Sequence, residues 1–270
     1  MKAIHLSHLD PKVRGVPMKV IADNLNALNP IVAEALKKLD PKPLQALALQ
    51  CLRAGADLID INPGYLSKNQ EDRIVFMVEA LRAVTAQGLI LDSPNPRVLA
   101  KGLAACQGKA ILNALTLEEK KVQEILSLAV EYRTPLVLLL LDEHSMPAPS
   151  LEGKIALAIE LRERAIAAGL DEECLIFDPL LPHHSWPEAF SQITAVIEII
   201  RLLASGALFN QPARTVVGFS NLFSGQRKEG PFPLEETGLS LLAGAGLSHI
   251  LVNVLRPELK NWLNRIHQMI

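Results

Sequence analysis

A polar side chain ends nearly every short apolar run of this chain. These side chains are carboxylates, carboxamides and one hydroxyl, and none of them is basic or a histidine. They suit a flat, neutral, nitrogen-rich heterocycle, because an N–C–N edge donates two hydrogens to one carboxylate in a bidentate pair. The residues at the ends of the eight runs are Asp23, Asn24 and Asn26; Asp60, Asn62 and Gly64; Asp92; Asn113; Asp142; Asp178; Ser220 and Asn221; and Asn253.

Other kinds of site fit this set less well. A phosphate-rich ligand needs Arg, Lys or glycine-rich amides, and a two-metal site needs carboxylates together with histidines. His183 and His184 follow the sixth run, but no third ligand accompanies them, so we interpret the pair as loop surface and predict no metal site. For Asp92 or Asp178 taken alone, a helix cap or a turn is the alternative interpretation.

The apolar runs are typical of parallel strands buried on both faces. Amphipathic segments separate them, and many begin at proline and end near glycine, which are helix start and stop signals. Thr116 and Glu119 form a capping-box pattern. The predicted strands are Lys19–Ala22, Leu58–Ile61, Leu89–Leu91, Ala110–Leu112, Leu136–Leu141, Leu175–Phe177, Thr215–Phe219 and Ile250–Val254. The predicted helices are Pro43–Ala54, Asn69–Ala86, Asn95–Cys106, Thr116–Tyr132, Ser150–Ala168, Pro187–Leu203, Pro233–Ala245 and Pro257–His267.

Eight strands alternating with eight helices predict an α/β fold, the (β/α)₈ TIM barrel. A doubly wound open sheet is the alternative, but no Gly-rich GxGxxG turn follows the first strand. We expect one domain over residues 1–270, with an N-terminal extension at 1–17. In a barrel the carboxyl ends of the strands meet at one mouth, so the polar residues listed above would lie together there.

Composition excludes several classes of partner and compartment. The net charge of −2, without a basic run, argues against nucleic acid. No stretch is apolar for long enough to cross a membrane, and the N-terminus lacks the apolar core of a secretory signal. We interpret the three cysteines, Cys51, Cys106 and Cys174, as reduced and structural, which favours a cytoplasmic protein.

Five segments carry a resemblance to a known family. In chain order, at predicted strand ends, they are GADLIDINPG, ILDSPN, AILNAL, LIFDPLLP and VVGFSNLFSG. Together they resemble the pterin-binding methyltransferases, and most of all the methyltetrahydrofolate:corrinoid/iron–sulfur protein methyltransferases. Dihydropteroate synthase and the folate domain of cobalamin-dependent methionine synthase belong to the same superfamily. The resemblance implies a dihydropteroate synthase-like barrel, usually a homodimer, that works as an enzyme of one-carbon metabolism.

The resemblance also implies roles for residues of the mouth. Asp92, Asn113 and Asp178 match the family positions that bind the pyrimidine edge of the pterin. Asn221, in the GxSN motif, matches the catalytic asparagine near N5. The residues implied to bind the pterin are Asp92, Asn113, Asp178, Gly218, Ser220, Asp60, Asn62 and Asn26.

The implied activity is methyl transfer between N5 of methyltetrahydrofolate and the cobalt of a corrinoid (cobalamin) carried by a partner protein. The tertiary amine is a poor leaving group, so N5 must gain a proton or a strong hydrogen bond as the methyl group leaves. The amide oxygen of Asn221 would stabilise the N5-protonated form, a contact of the kind that can contribute roughly 3 kcal/mol.

Departures from the family pattern keep two alternatives open. Ala114 stands where the family has serine after Asn113, and the segment after Asn221 differs from the family's. A non-catalytic or divergent pterin-binding paralogue is therefore one alternative. Dihydropteroate synthase is the other, and the sequence favours it less. That enzyme needs a lysine near the seventh strand and an Arg-x-His signature at the eighth, and Thr215–Ser220 and Leu251–Leu255 contain neither.

Overall fold

Eight parallel strands form a closed barrel in chain order, and the first strand pairs with the last. The computed structural model describes residues 18–223 and 232–269, so the predicted extension at 1–17 lies outside the described residues. The barrel confirms the predicted fold class. The strands are β1 (Lys19–Asn26), β2 (Leu58–Asn62), β3 (Gly88–Asp92), β4 (Ala110–Leu115), β5 (Leu136–Leu139), β6 (Leu175–Asp178), β7 (Arg214–Gly218) and β8 (His249–Val252).

All eight strands differ from their predicted bounds by at least one residue, and for β1 and β5 the local reasons are clear. β1 runs on to Asn26 because its pairing with β2 continues beyond a register shift between Ala22 and Leu25. β5 ends two residues earlier than predicted, since Leu141 forms an isolated antiparallel bridge to Pro147 and so belongs to the following loop. The apolar run Leu136–Leu141 gave no signal for that change of direction.

Helices cover the outside of the barrel. They are α1 (Pro30–Lys38), α2 (Pro41–Arg53), α3 (Arg73–Arg82), α4 (Pro96–Ala105), α5 (Glu119–Tyr132), α6 (Leu151–Ala167), α7 (Ala189–Ala204), α8 (Phe232–Gly244) and α9 (Pro257–Met269). Helix α1 was not predicted, although it carries a start signal. Asn29 accepts a hydrogen bond from the Ile31 N–H at 3.0 Å, and Pro30 occupies the first turn.

The capping predictions have mixed outcomes. Ser150 caps α6, because its Oγ accepts a hydrogen bond from the Gly153 N–H at 3.2 Å. The capping box at Thr116 is wrong: the residue preceding α5 is Glu118, which makes no side-chain cap bond, and the Thr116 hydroxyl accepts only from the Glu118 N–H at 3.4 Å. Helix α5 therefore begins one turn later than the sequence pattern predicts.

The barrel interior changes from apolar to polar along its axis. The interior core consists of Ile21, Ile90, Val137, Ile176 and Val216, with Leu58, Ile111 and Leu251 packed against it. Because side chains alternate between the two faces of a strand, the residue two positions further on also points inward, closer to the carboxyl end. For every strand except β5 and β7 that residue is an Asp or Asn: Asp23, Asp60, Asp92, Asn113, Asp178 and Asn253.

No helix among residues 18–223 and 232–269 has the length and apolarity needed to cross a membrane. The three cysteines are free thiols; Cys51 and Cys106 are buried and Cys174 is half-buried.

Candidate functional site

The side chain of Asp92 is held in place by its neighbour on β2. The Asn62 amide donates to Asp92 Oδ2 at 2.7 Å, and Asn62 Oδ1 accepts from the Gly64 N–H at 2.8 Å. Asp92 does not cap the following helix, because Asn95 fills that role by accepting from the Arg97 N–H at 3.0 Å. Among the described residues only one of the two Asp92 carboxylate oxygens has a partner, so the other can accept from a ligand.

Asp60 lies beneath Asp92 as a deeply buried acid. Its side chain is 1% exposed, and its Oδ1 atom has no hydrogen-bond partner among the described residues. Burial and the nearby carboxylates of Asp92 and Asp23 raise the pKa of Asp60 well above its ordinary value. Asp60 therefore forms the floor of the mouth. Its carboxyl group favours the protonated form, and its Oδ1 atom has no hydrogen bond within the described residues.

Asp92 and Asp178 are poised to titrate close to neutrality. Burial raises the pKa of Asp92 to about 6, and the Asn62 hydrogen bond opposes that shift. Burial raises the pKa of Asp178 to about 7, with the Asp92 charge adding to the increase, while the Leu180 N–H and the Lys154 charge oppose it. N–H donors from a bound ligand would favour the ionised form of both acids.

The turn interpretation applies to some strand-end acids and not to others. Asp178 Oδ1 accepts from the Leu180 N–H at 2.9 Å, so this residue stabilises its own turn while it faces the mouth. Asp142 is wholly a turn residue, because its Oδ1 accepts from the N–H groups of both His144 and Met146 at 2.9 and 2.8 Å. We therefore exclude Asp142 from the candidate site.

Asn113 lies beside Asp92 in the register of β3 and β4. Its main-chain oxygen accepts from the Ser93 N–H at 3.1 Å, and the Asn113–Ala114 peptide bond is cis. The side chain is half-buried, and its amide has no hydrogen-bond partner among the residues that the structure describes. Asn113 thus presents a free donor and a free acceptor next to the Asp92 carboxylate.

Gly218, Ser220 and Asn221 form the rim on the β7 side. A 3₁₀ helix, Phe219–Phe223, follows β7 and carries both polar residues. The Ser220 hydroxyl donates to the carboxylate of Asp23 on β1. A Cβ atom at Gly218 would lie 2.9 Å from Asn221 Nδ2, so glycine is what allows the Asn221 amide to lie against the end of β7.

A cavity of about 500 Å³ opens next to Asn221. It is lined by Asn221 and by four residues of the loop after β6: Leu180, Leu181, His183 and Trp186. Asn221 is exposed, and its amide has no hydrogen-bond partner within the described part of the chain. The arrangement places an unused amide at the border between a polar floor and an open cavity.

Three asparagines, two on β1 and one directly after β8, have mainly structural roles. The Asn24 amide donates to Asn253 Oδ1 at 2.7 Å, and Asn24 Oδ1 accepts from the Val254 N–H at 3.1 Å. Asn26 faces Asn62 in the strand register, and its Oδ1 accepts from the Leu28 N–H at 2.8 Å. Asn26 therefore lies at the mouth with its oxygen engaged, and its contact with a ligand stays a prediction.

The two loop histidines belong to an aromatic stack. His183 Nδ1 lies 2.7 Å from the Ser185 hydroxyl, and the His184 ring lies 4.7 Å from the rings of both His183 and Phe223. Within residues 18–223 and 232–269, no three His, Cys, Asp or Glu side chains are grouped so that they could hold a metal ion.

Sequence reasoning gave Asp23 no role beyond ending the first apolar run, and it missed Lys154. Asp23 points inward beneath Ser220, and burial raises its pKa against the opposing Ser220 hydrogen bond. The sequence signal for its inward direction is its position two residues after Ile21, which lies in the barrel interior. Lys154 is 1% exposed on α6 and donates to the Pro179 carbonyl at 2.9 Å. Its signal was its spacing with Ala158 and Leu161, which places a lysine within the buried stripe of the helix.

Comparison with known proteins gives a consistent result. A protein-family model described as "Pterin binding enzyme" matches residues 25–231. The chain is 24% identical over 212 residues to the methylcorrinoid:tetrahydrofolate methyltransferase of Eubacterium limosum, covering 74% of this chain and 78% of that protein. It is 24% identical over 236 residues to the methionine synthase of Mycobacterium leprae, covering 83% of this chain but only 19% of that protein.

Solved structures of dihydropteroate synthases share the fold. The enzyme from Xanthomonas albilineans in complex with 7,8-dihydropteroate superposes with a TM-score of 0.68 at 18% identity, covering 94% of each chain. The Yersinia pestis enzyme with a pterine–sulfa conjugate gives 0.64 at 21% identity, also covering 94% of each chain. At these identities the likeness establishes the fold alone.

Proposed function

This chain belongs to the family of pterin-binding enzymes, and on that premise we propose that it is a methyltransferase acting between N5 of methyltetrahydrofolate and the cobalt of a corrinoid on a partner protein. The observation that carries the proposal is the Asn221 amide, which has no hydrogen-bond partner among the described residues and lies against Gly218 at the border of the acidic mouth and the adjoining cavity. The similarity to the Eubacterium limosum methyltransferase supports the same activity.

In this proposal the pyrimidine edge of the pterin binds to the inner acids. Asp92 and Asp178 accept from ring and amino N–H groups, and the Asn113 amide satisfies the neighbouring ring atoms. A bidentate pair with an ionised carboxylate is among the stronger hydrogen-bonded contacts. Asn62 orients Asp92 for this role through its 2.7 Å hydrogen bond.

The chemistry requires a strong hydrogen bond at N5 or a proton, which solvent water supplies. In the direction from methyltetrahydrofolate, the bond between N5 and the methyl carbon breaks and its electron pair stays on N5. The corrinoid substrate supplies the electron pair of the new bond to the methyl carbon. Asn221 accepts a hydrogen bond from protonated N5 and so stabilises charge at the nitrogen, a contact that can contribute roughly 3 kcal/mol. The remaining residues hold the pterin in a fixed orientation toward the partner.

Dihydropteroate synthase is the second candidate because solved members share this fold. The β7 end carries Gly218 and Ser220 and no lysine, which argues against the handling of pyrophosphate there. Arg256, after β8, has both terminal nitrogens on the Glu235 carboxylate at 2.6 and 2.8 Å, so its guanidinium is already engaged. Both observations favour methyl transfer over this alternative.

One set of assays separates the candidates. Calorimetry with methyltetrahydrofolate tests pterin binding, and a spectroscopic assay with free cob(I)alamin and then with corrinoid proteins tests methyl transfer. We expect binding together with transfer. Absence of pterin binding would overturn the proposal. Binding without transfer to any corrinoid acceptor would identify a non-catalytic paralogue, and formation of dihydropteroate from a pterin diphosphate and 4-aminobenzoate would identify the synthase.

A further inference from the structure

Helix α6 carries a lysine where an apolar residue would be expected. Lys154 is 1% exposed and shares its helix face with the buried residues Ala158, Leu161 and Ala165. Taking an ammonium group out of water costs several kcal/mol even after the protein relaxes around it. A buried lysine on an outer helix of a barrel therefore points to a specific task for its charge.

The lysine reaches through the wall of the barrel to the end of β6. Its Nζ atom donates to the main-chain oxygen of Pro179, the residue directly after Asp178, at 2.9 Å. This is the only hydrogen bond of its three N–H groups, and no carboxylate within the described residues forms a direct ion pair with it. The ammonium is thus fixed beside Asp178 without neutralising it through direct contact.

The charge around Asp178 comes from two sides of the barrel. From α6 the ammonium of Lys154 lowers the pKa of Asp178, and from β3 the carboxylate of Asp92 raises it. In return, Asp178 opposes the burial that lowers the pKa of Lys154 to about 8. His183, further along the loop after β6, faces the Ser185 hydroxyl instead, at 2.7 Å. Lys154 is therefore the positive charge that acts on Asp178.

We propose that Lys154 is a positioning residue of the pterin site, anchored on the Pro179 carbonyl so that its positive charge favours the ionised form of Asp178, the form that accepts from ligand N–H groups. The role rests on the proposed binding of the pterin edge by Asp178. It explains why the α6 lysine is buried although no acid in the described part of the chain contacts it directly. It also separates two tasks: Asp178 touches the ligand, and Lys154 acts only through Asp178.

The test uses two variants that separate the effect of the Lys154 charge from the effect of its hydrogen bond. Lys154→Met removes both, whereas Lys154→Gln keeps an N–H donor for the Pro179 carbonyl and removes only the charge. Leu161→Ala, on the same buried face of α6, is the matched control for general loosening of the helix. Calorimetry measures the affinity for methyltetrahydrofolate between about pH 5.5 and about pH 9.

We expect the pH at which affinity is lost on acidification to move upward by about one pH unit in both lysine variants, because an opposite charge at this range shifts a carboxyl pKa by about 1–3. Affinity at pH 7 would fall by about fivefold, while at pH 9 it would approach that of the wild type, where Asp178 is ionised unaided. Leu161→Ala should keep the wild-type pH profile. A wild-type profile in Lys154→Gln, or an equal shift in Leu161→Ala, would overturn the proposal.

A second measurement needs no ligand. Carbon-13 NMR of labelled aspartate follows the Asp178 carboxyl directly, with Asp178→Asn providing the assignment. The titration midpoint, about 7 in the wild type, should rise in both lysine variants; an unchanged midpoint would refute the role of Lys154. If the wild type binds no pterin, the proposed function fails, and this titration still decides whether Lys154 controls Asp178.

Discussion

At the scale of single residues, the proposed function assigns binding and chemistry to different residues of the mouth. Asp92 is tied to Asn62 by a 2.7 Å hydrogen bond, as expected for a residue that must present a carboxylate in a fixed direction. Asn221 is exposed on a short 3₁₀ helix with no partner for its amide among the described residues, as expected for a group that engages only when a ligand arrives. Substitution of Asp92 should therefore mainly weaken pterin binding, whereas substitution of Asn221 should mainly slow methyl transfer.

Asn221→Ala should slow methyl transfer far more than it weakens pterin binding. Loss of one contact to developing charge lowers the rate by about 100-fold or more. The measurement is single-turnover transfer to cob(I)alamin, with calorimetry on the same preparation. A variant that binds the pterin tenfold more weakly yet transfers at the wild-type rate would contradict the assigned role.

Asp92→Asn should weaken pterin binding by about 10- to 100-fold, because a hydrogen bond to a charged group contributes about 1.5–3 kcal/mol. Asp142→Asn is the matched control, since Asp142 also ends an apolar run but serves only its own turn. Calorimetry at pH 8, where both inner acids are ionised, measures the difference. Equal losses in the two variants would show that the effect comes from the fold and not from the site.

At the scale of elements, the strands were predictable because the residue pattern that indicates each strand lies within the strand itself. Runs apolar on both faces predict parallel strands, and the acids or amides after them mark the carboxyl ends. Helix α1 was missed although Asn29 and Pro30 mark its start. The turn of Asp142 and the later start of α5 depend on backbone partners that a residue pattern does not reveal.

Contacts across the barrel were not predictable, since they exist only once the sheet has closed. Ser220 and Asp23 are 197 positions apart and meet because β7 and β1 flank β8. Lys154 reaches Pro179 across 25 positions through the wall between helix and sheet. The candidate site, Asp60 included, could therefore be predicted as a set of strand-end residues. Its supporting contacts required the structure, and so did the lack of a hydrogen-bond partner for Asp60 Oδ1 among the described residues.

Gly218→Ala tests whether the end of β7 positions the 3₁₀ helix. The new Cβ would lie 2.9 Å from Asn221 Nδ2, so the amide must shift from its present position. A misplacement of about 1 Å can cost about 100-fold in rate, and we expect slower methyl transfer with an unchanged Tm. Gly244→Ala is the control, because its Cβ would meet no atom within 4 Å. Normal transfer by Gly218→Ala would show that this glycine does not position Asn221.

At the scale of the whole molecule, the barrel has an apolar interior core and an acidic layer above it. Asp60, Asp92 and Asp178 share this layer, and burial raises the pKa of each. Buried acids of this kind stabilise the folded chain less when they are ionised. The site that would bind N–H donors is therefore a source of instability in the free protein, and a ligand that donates to it would relieve that cost.

The titration of Asp92 makes the stability of the folded chain depend on pH in a measurable direction. Its folded pKa of about 6 lies above the ordinary value of 3.8, so between these values the folded state holds more protons than the unfolded state. Stability then falls as pH rises through that window and stays lower above it. Asp92→Asn removes the ionisation. The free energy of unfolding of the variant, relative to that of the wild type, should therefore increase by about 1–2 kcal/mol from pH 5 to pH 8, and this increase is the gain to be measured.

Urea unfolding of both proteins at the two pH values measures this gain. Groups distant from Asp92, such as His249, whose pKa burial lowers to about 4, largely cancel in the comparison between variant and wild type. Asp178 does not cancel, because loss of the Asp92 charge lowers the pKa of Asp178 and adds to the gain. Saturating methyltetrahydrofolate should shrink the gain at pH 8, because N–H donors stabilise the ionised Asp92 of the wild type. A gain that is the same at both pH values would mean that Asp92 titrates normally and that the acidic layer carries no such cost.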